Sequence, residues 1–193
     1  MTVLTSRAAD LSPRFRPADP VARVDLSDPG ERAGGLEAGP ALPLAPRELA
    51  RRLAGRPDLW QPLVRYTEPR HHARLASGRD WEAWLLTWLP GQSTGLHDHG
   101  GAAGAFAVLV GQVDESLPLR ATASGPVRLI SRRYRAGHVR AFGTEHVHDV
   151  AALSGRRAVT LHVYAPRLTT MTRYALVDGR LDVTGREQEG QDW

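Results

Sequence analysis

Four of the eight histidines in this 193-residue chain stand in two His-x-His pairs, His97 with His99 and His146 with His148. In an extended segment, residues two apart project from the same face, so both imidazoles of a pair can reach one ion. Imidazole suits iron, zinc, copper or nickel better than magnesium or calcium. Because the chain has no cysteine, any metal must be held by histidine or carboxylate side chains. The two pairs therefore predict a nitrogen-rich metal site.

The glycines around the first pair extend the pattern. Gly91, His97, His99, Gly104 and Gly111 follow the spacing G-x5-H-x-H-x4-G-x6-G. This spacing resembles the first motif of the cupin family, except that many cupins carry a glutamate ligand where this chain has Gly104. The resemblance implies a site of neutral ligands that leaves up to three positions of an octahedral ion open.

The stretch around the second pair resembles the second cupin motif, G-x5-P-x-G-x2-H-x3-N, at its first glycine and its histidine. The corresponding positions are Gly137, Gly143, Glu145, His148 and Ala152. This resemblance selects His148 as the third metal ligand. His146 is expected to point to the same side one pleat away, as a neighbour of the site that does not bind the metal.

A third cluster lies nearer the C-terminus. Thr160, His162 and Tyr164 alternate along a β-prone run, so all three share one face of an extended strand. With the three histidines, this run resembles the cysteine dioxygenase family, in which a serine, a histidine and a tyrosine at this spacing form a relay beside an iron. The resemblance implies that Thr160 orients His162 and that His162 holds the Tyr164 hydroxyl where it acts on oxygen.

The resemblance extends upstream and covers about residues 70–172. The family arginine that binds the substrate carboxylate corresponds best to Arg74, and a family tyrosine on the substrate side corresponds to His72. Animal members also join a cysteine to the relay tyrosine, and the matching position here is Gly104. Tyr164 is therefore expected to be an unmodified phenol.

The resemblance implies an Fe(2+)-dependent dioxygenase that oxidises L-cysteine with O2 to cysteine sulfinic acid, a reaction of cysteine catabolism on the sulfinate and taurine route. The carboxylate-binding arginine favours cysteine as the substrate. Two alternatives stay open. One is a dioxygenase of 3-mercaptopropionate or another small thiol, and the other is a metal cupin of another class, such as an isomerase or a ligand-binding barrel.

The elements that must position these residues are short strands. After Trp81 the chain alternates β-prone runs with glycine and proline, which predicts a mainly β protein. The resemblance implies that the strands form a small cupin-type β-barrel, or jelly-roll. The predicted strands are 82–89, 105–110, 127–134, 147–152, 158–164 and 171–177.

A short helical region is expected before the barrel. Residues 46–54 have leucines four apart, a proline in the first turn and a glycine at the end, and a second helix is expected at 59–66. The predicted organisation is an irregular N-terminal arm at 1–45, the barrel with its helices at 46–178, and a polar C-terminal tail at 179–193.

Composition limits the function classes. About 41% of residues are apolar, and neither a bilayer-spanning run nor a secretion signal is evident, so we expect a cytoplasmic protein that does not cross a membrane. All 25 basic residues are arginines scattered among 21 acidic residues, which does not indicate nucleic-acid binding. We expect a monomer or weak homo-oligomer whose partners are a small thiol and O2.

Overall fold

The computed structural model describes residues 44–120 and 122–188. The arm predicted at 1–45 therefore lies outside the described residues except for its last two positions. The final five residues of the predicted tail also lie outside. Within the described part of the chain, no helix is long and apolar enough to cross a bilayer.

The described chain is mainly β, which confirms the predicted fold class. The helices are α1 (Pro46–Ala54) and α2 (Pro57–Trp60), followed by a 3-10 helix (Gln61–Leu63). The strands are β1 (His72–Ser77), β2 (Glu82–Trp88), β3 (Leu96–His97), β4 (Ala103–Val110), β5 (Gln112–Arg120), β6 (Val127–Arg135), β7 (Val139–Phe142), β8 (Asp149–Ala151), β9 (Ala158–Ala165), β10 (Thr170–Val177) and β11 (Arg180–Gln188).

The strands form three sheets in the manner of a cupin jelly-roll. Their orders are β1-β2-β9-β4-β7, β11-β10-β3 and β6-β5-β8, with antiparallel neighbours throughout. In one respect the structure corrects the prediction, because the sheets do not close into a barrel. Closure needs hydrogen bonds between edge strands, whereas β1 pairs only with β2 and β7 only with β4 in the described residues.

Strand β9 lies at the centre of the five-stranded sheet and is buried on both faces. Its residues Val159, Leu161 and Val163 belong to the apolar cluster that also contains Leu49 and Leu53 of α1. Because side chains alternate along a strand, Thr160, His162 and Tyr164 point to the opposite face. That face looks into the space between the sheets, where the second apolar cluster lies.

The chain after residue 179 differs from the predicted polar tail. Residues Arg180–Gln188 form β11, which pairs with β10 from Thr170 to Val177. The side chains of β11 are exposed or half-buried, so the segment has no buried apolar face that the sequence could reveal. Backbone pairing forms this strand instead.

The helical region agrees with the sequence only in part. Helix α1 has the predicted bounds and buries Leu49 and Leu53. Helix α2 begins at Pro57 and ends at Trp60, earlier than the predicted helix at 59–66. Proline fixes a helical φ at a first helical position, which explains the start at Pro57.

Candidate metal centre and adjoining cavity

Three buried histidines converge between the sheets. His97 ends β3, His99 follows two residues later, and His148 precedes β8. The backbone N–H of His97 donates to the His148 carbonyl at 2.9 Å, and the N–H of His148 donates to the His97 carbonyl at 3.0 Å. One ligand nitrogen from each of the three rings lies within 4.8 Å of the others. The backbone bridge thus brings two distant segments of sequence to one point.

Hydrogen bonds orient two of these rings. His97 Nδ1 lies 2.8 Å from the Gly95 carbonyl, which can only accept, so Nδ1 carries the proton and Nε2 is left with its lone pair. His148 Nδ1 donates in the same way to Glu115 Oε1 at 2.9 Å. Both rings therefore present Nε2 as the free ligand atom.

The donor set fits a metal ion. Both nitrogens of His99 and Nε2 of His148 are buried without a hydrogen-bond partner among the described residues. Buried polar atoms of this kind are costly unless something binds them. Burial also lowers the pKa of each of His97, His99 and His148, so the rings are neutral, as metal ligands must be.

Glu115 is the buried carboxylate behind His148. Burial alone would raise the pKa of Glu115, but hydrogen bonds from His146 and His148 and the charge of Arg140 lower it below its usual range. Oε1 accepts from both histidines at 2.9 Å, and Oε2 accepts from Arg140 Nε at 3.2 Å. An ionised carboxylate behind a metal-binding histidine fixes its tautomer and raises its basicity.

His146 lies beside the three-histidine group, as expected from its position one pleat away. Glu115, His146 and His148 form a second group whose ligand atoms are within 4.8 Å of one another. The Arg140 guanidinium already pairs with this carboxylate and would repel a cation there. We therefore interpret the second group as support for His148.

Asp98, between the first two histidines, faces away from the centre. Its carboxylate accepts hydrogen bonds from the backbone N–H groups of Gly100 and Thr172 and from the Tyr174 hydroxyl, the last at 2.7 Å. These bonds engage both of its oxygens.

The three relay residues on β9 form a hydrogen-bonded series. Thr160 Oγ1 lies 2.9 Å from His162 Nε2, and His162 Nδ1 lies 3.4 Å from the Tyr164 hydroxyl. Burial lowers the pKa of His162 to about 3, so its ring is neutral. Burial also raises the pKa of Tyr164, so the phenol keeps its proton.

Trp88, on the neighbouring strand β2, determines which group donates and which accepts in this series of hydrogen bonds. Its indole N–H donates to Thr160 Oγ1 at 2.9 Å. Indole is only a donor, so Thr160 Oγ1 accepts from Trp88, and the Thr160 O–H finds an acceptor among the described residues only when it donates to His162 Nε2. The ring proton of His162 is then on Nδ1, which donates to the tyrosine oxygen. The Tyr164 O–H is left free for a group in the cavity.

A cavity of about 470 Å³, its open mouth included, adjoins both His97 and the relay. Its wall contains two arginines, and no carboxylate of the described residues lines it. The lining residues are Arg70, His72, Trp84, Leu86, Thr94, His97, His162, Tyr164, Leu168, Met171 and Arg173.

Neither arginine in the cavity wall is Arg74, the arginine that the sequence selected. Arg74 is exposed and lies over the Trp84 ring at 5.6 Å, outside the wall. Arg70 lines the cavity, donates to the Ser93 carbonyl at 2.6 Å and stacks over Trp88, while its buried Nε has no partner among the described residues. His72, the other predicted substrate residue, does line the cavity.

The second arginine of the wall is neutralised. Arg173 makes two 2.8 Å hydrogen bonds to the two oxygens of Glu187 and a third to the Thr94 carbonyl. Arg70 has no carboxylate partner in the described chain. Burial lowers the pKa of Arg70, and the nearby charge of Arg173 lowers it further. Arg70 is therefore the cation of this wall that remains available to an anion.

Sequence reasoning missed Glu115, Trp88 and Arg70. Arg70 is the first residue of the region that resembles the family. The sequence does not show that β1 begins only at His72, so it does not show which arginine near this point faces the cavity. Nothing in the sequence marks Glu115 as buried, because it sits in a polar run next to Asp114.

A mainly β jelly-roll that buries three converging histidines defines a cupin-type metal protein. A family model for cysteine dioxygenase type I matches residues 56–176, which is more than half of the chain. The chain belongs to the cysteine dioxygenase type I family and is a cupin-type thiol dioxygenase.

Solved structures with a similar strand arrangement were also found, whereas no curated protein matches the chain. A protein of Thermus thermophilus is 23% identical over 55% of this chain and 93% of its own, with a TM-score of 0.45. A Klebsiella pneumoniae protein with a double-stranded β-helix domain is 14% identical over 64% of this chain and 91% of its own, with a TM-score of 0.45. A cupin superfamily protein from Desulfitobacterium hafniense is 14% identical over 55% of this chain and 87% of its own, with a TM-score of 0.43.

If Glu115 orients His148, Glu115→Gln will weaken metal binding by about 10- to 100-fold, because the amide lacks the negative charge that makes His148 more basic, and its NH2 group cannot accept from Arg140 as Oε2 does. The measurement is a titration of metal-free protein with Co(II), followed by its visible absorption. Asp114→Asn is the matched control, since the neighbouring carboxylate pairs with Arg133 at 2.8 Å instead. Equal affinities for the two variants would contradict the role given to Glu115.

Proposed function

We propose that the protein oxidises L-cysteine with O2 to cysteine sulfinic acid, with Fe(2+) held by His97, His99 and His148. The reaction is R–SH + O2 → R–SO2H, in which both oxygen atoms end on sulfur. The observation that carries the proposal is that one cavity is lined by His97 of the three-histidine group, by Tyr164 and by Arg70, whose guanidinium forms no ion pair among the described residues. We also propose that the protein works in the cytoplasm, in the catabolism of cysteine.

Ferrous iron bound by the three histidines would supply the redox chemistry that lets a thiolate react with O2. The histidines contribute neutral nitrogen ligands, since Gly95 and Glu115 hold the protons of His97 and His148 on Nδ1. No carboxylate of the described residues belongs to the three-histidine group. This donor set suits an ion that must also accept substrate atoms.

Arg70 would bind the substrate carboxylate. Its guanidinium lines the cavity without a carboxylate partner in the described residues, and a buried ion pair of this kind gives strong, directional binding. The resemblance assigns this role to Arg74, but Arg74 is exposed, lies over the Trp84 ring and does not line the cavity. We therefore propose Arg70 for the carboxylate, with His72 on the substrate side of the cavity.

The relay would act on the oxygen side. The Tyr164 hydroxyl is fixed by His162, and burial keeps the phenol protonated, so it can donate a hydrogen bond toward charge that develops on oxygen during the reaction. Thr160 and Trp88 hold the neutral His162 ring in the tautomer that leaves this donor free.

A thiol without an amino group is the second candidate substrate. The cavity wall has no carboxylate among the described residues that could pair with the ammonium group of cysteine. 3-Mercaptopropionate keeps the thiol and the carboxylate and lacks that ammonium group, so the wall accommodates it equally well.

The proposal predicts O2 consumption by Fe(2+)-loaded protein with L-cysteine, with one sulfinate formed per O2. An oxygen electrode with cysteine, 3-mercaptopropionate and cysteamine distinguishes the candidates, because cysteamine lacks the carboxylate. Higher kcat/KM for cysteine supports the first candidate, and higher kcat/KM for 3-mercaptopropionate supports the second. If none of the thiols drives O2 consumption, the proposed function is wrong.

Replacing Arg70 and Arg74 in turn shows which of the two arginines binds the substrate carboxylate. Arg70→Gln should raise KM for cysteine by about 10- to 100-fold, since a hydrogen-bonded charge pair is worth about 1.5–3 kcal/mol. Arg74→Gln should change KM by less than about threefold, because the Arg74 side chain is exposed and does not line the cavity. Steady-state kinetics of both variants provide the measurement. A large KM effect confined to Arg74→Gln would return the role to Arg74.

Removing the Tyr164 hydroxyl tests the relay. Tyr164→Phe should lower kcat by about 10²-fold, the typical effect of losing one donor to developing charge. The dissociation constant of cysteine, measured by anaerobic titration of the iron-loaded protein, should stay nearly constant. A variant with unchanged kcat would show that the relay hydroxyl takes no part in the reaction.

A further inference from the structure

The space beside Gly104, where a side chain on β4 would stand, is already occupied. Gly104 pairs with Tyr164 across β4 and β9. A Cβ added to Gly104 would lie 2.6 Å from Cε2 and Cζ of Phe142 and 2.8 Å from the Val163 carbonyl oxygen. The ring of Phe142 therefore fills the position from which a residue at 104 could reach the histidines.

Phe142 is the middle ring of a three-ring stack. Its centroid lies 4.8 Å from that of His99 with 21° between the planes, and 4.7 Å from that of His146 with 16° between the planes. His146 is held in turn by its hydrogen bond to Glu115 at 2.9 Å. The stack thus runs from an anchored imidazole, through the phenyl ring, to a proposed metal ligand.

His99 depends on this stack more than the other two histidines depend on ring contacts. Hydrogen bonds to Gly95 and Glu115 orient His97 and His148. Neither nitrogen of His99 has a hydrogen-bond partner in the described chain, although the ring is fully buried. Its nearest parallel neighbour is the Phe142 ring, since the Tyr164 ring is tilted by 35° at 5.1 Å.

We propose that Phe142 is a positioning residue for the metal centre: by stacking on His99 it fixes the plane of that ligand, and by filling the space beside Gly104 it excludes a fourth protein ligand. Glu115 then orients two ligands, His148 directly and His99 through His146 and Phe142. The inference rests on the proposed role of His99 as a metal ligand.

The test is a double-mutant cycle on Co(II) affinity, measured by visible absorption on metal-free protein without thiol or O2. Phe142→Leu keeps an apolar side chain but removes the flat ring, and should weaken Co(II) binding by roughly tenfold. His99→Ala should weaken it as well. In the His99→Ala background, adding Phe142→Leu should change the dissociation constant by less than about twofold, because the ligand that it orients is already gone.

Leu53→Ala is the control for a general loss of packing, since it removes buried volume from the cluster on the other face of the sheet. It should leave the Co(II) dissociation constant and absorption spectrum unchanged, with folding of every variant checked by circular dichroism. If Phe142→Leu has no effect, or the same effect with and without His99, the positioning role is wrong. Loss of thiol oxidation with an intact cycle would instead refute the proposed function alone.

Discussion

Three imidazoles are buried between the sheets with free nitrogens turned toward one another, and the surrounding strands and side chains must hold them in that position. An unpartnered buried nitrogen is costly, and three of the nitrogens in this group have no partner in the described chain. Contacts with residues outside the group hold the rings in place. The backbone hydrogen bonds between His97 and His148 fix the distance between their two segments, and Glu115 accepts a hydrogen bond from Nδ1 of His148 and so orients its ring.

The charges follow from the same constraint. The ligands are neutral, and the buried negative charge nearest to them is Glu115, which Arg140 compensates. On the cavity side, Arg173 forms an ion pair with Glu187, whereas Arg70 forms no ion pair with a carboxylate of the described residues and feels the charge of Asp149 only from a distance. The cavity wall therefore offers one guanidinium without an ion-pair partner in the described chain, which suits a small thiol that carries one carboxylate. Strand β9 connects this cavity to the relay, since its inward face carries Thr160, His162 and Tyr164.

The sequence predicted the parts of the site that follow from strand geometry. Alternation placed the members of the β9 relay on one face, and the spacing of His97 and His99 predicted their convergence. The sequence could not predict the roles of Glu115 and Trp88, because their hydrogen-bond partners are far away in sequence and only the sheet pairing brings them together. The choice between Arg70 and Arg74 depended on where β1 begins and on its bulge after Arg74, which local patterns do not show. Strand β11 escaped prediction because backbone pairing with β10, and not an apolar face, defines it.

The proposed reaction joins both atoms of O2 to the sulfur of a small thiol, and mass spectrometry of the product formed from L-cysteine under ¹⁸O2 tests it. The expected product is cysteine sulfinic acid that carries two ¹⁸O atoms and is therefore heavier by about 4 Da than the unlabelled product. A product with one or no labelled oxygen, or disulfide as the only product, would contradict it.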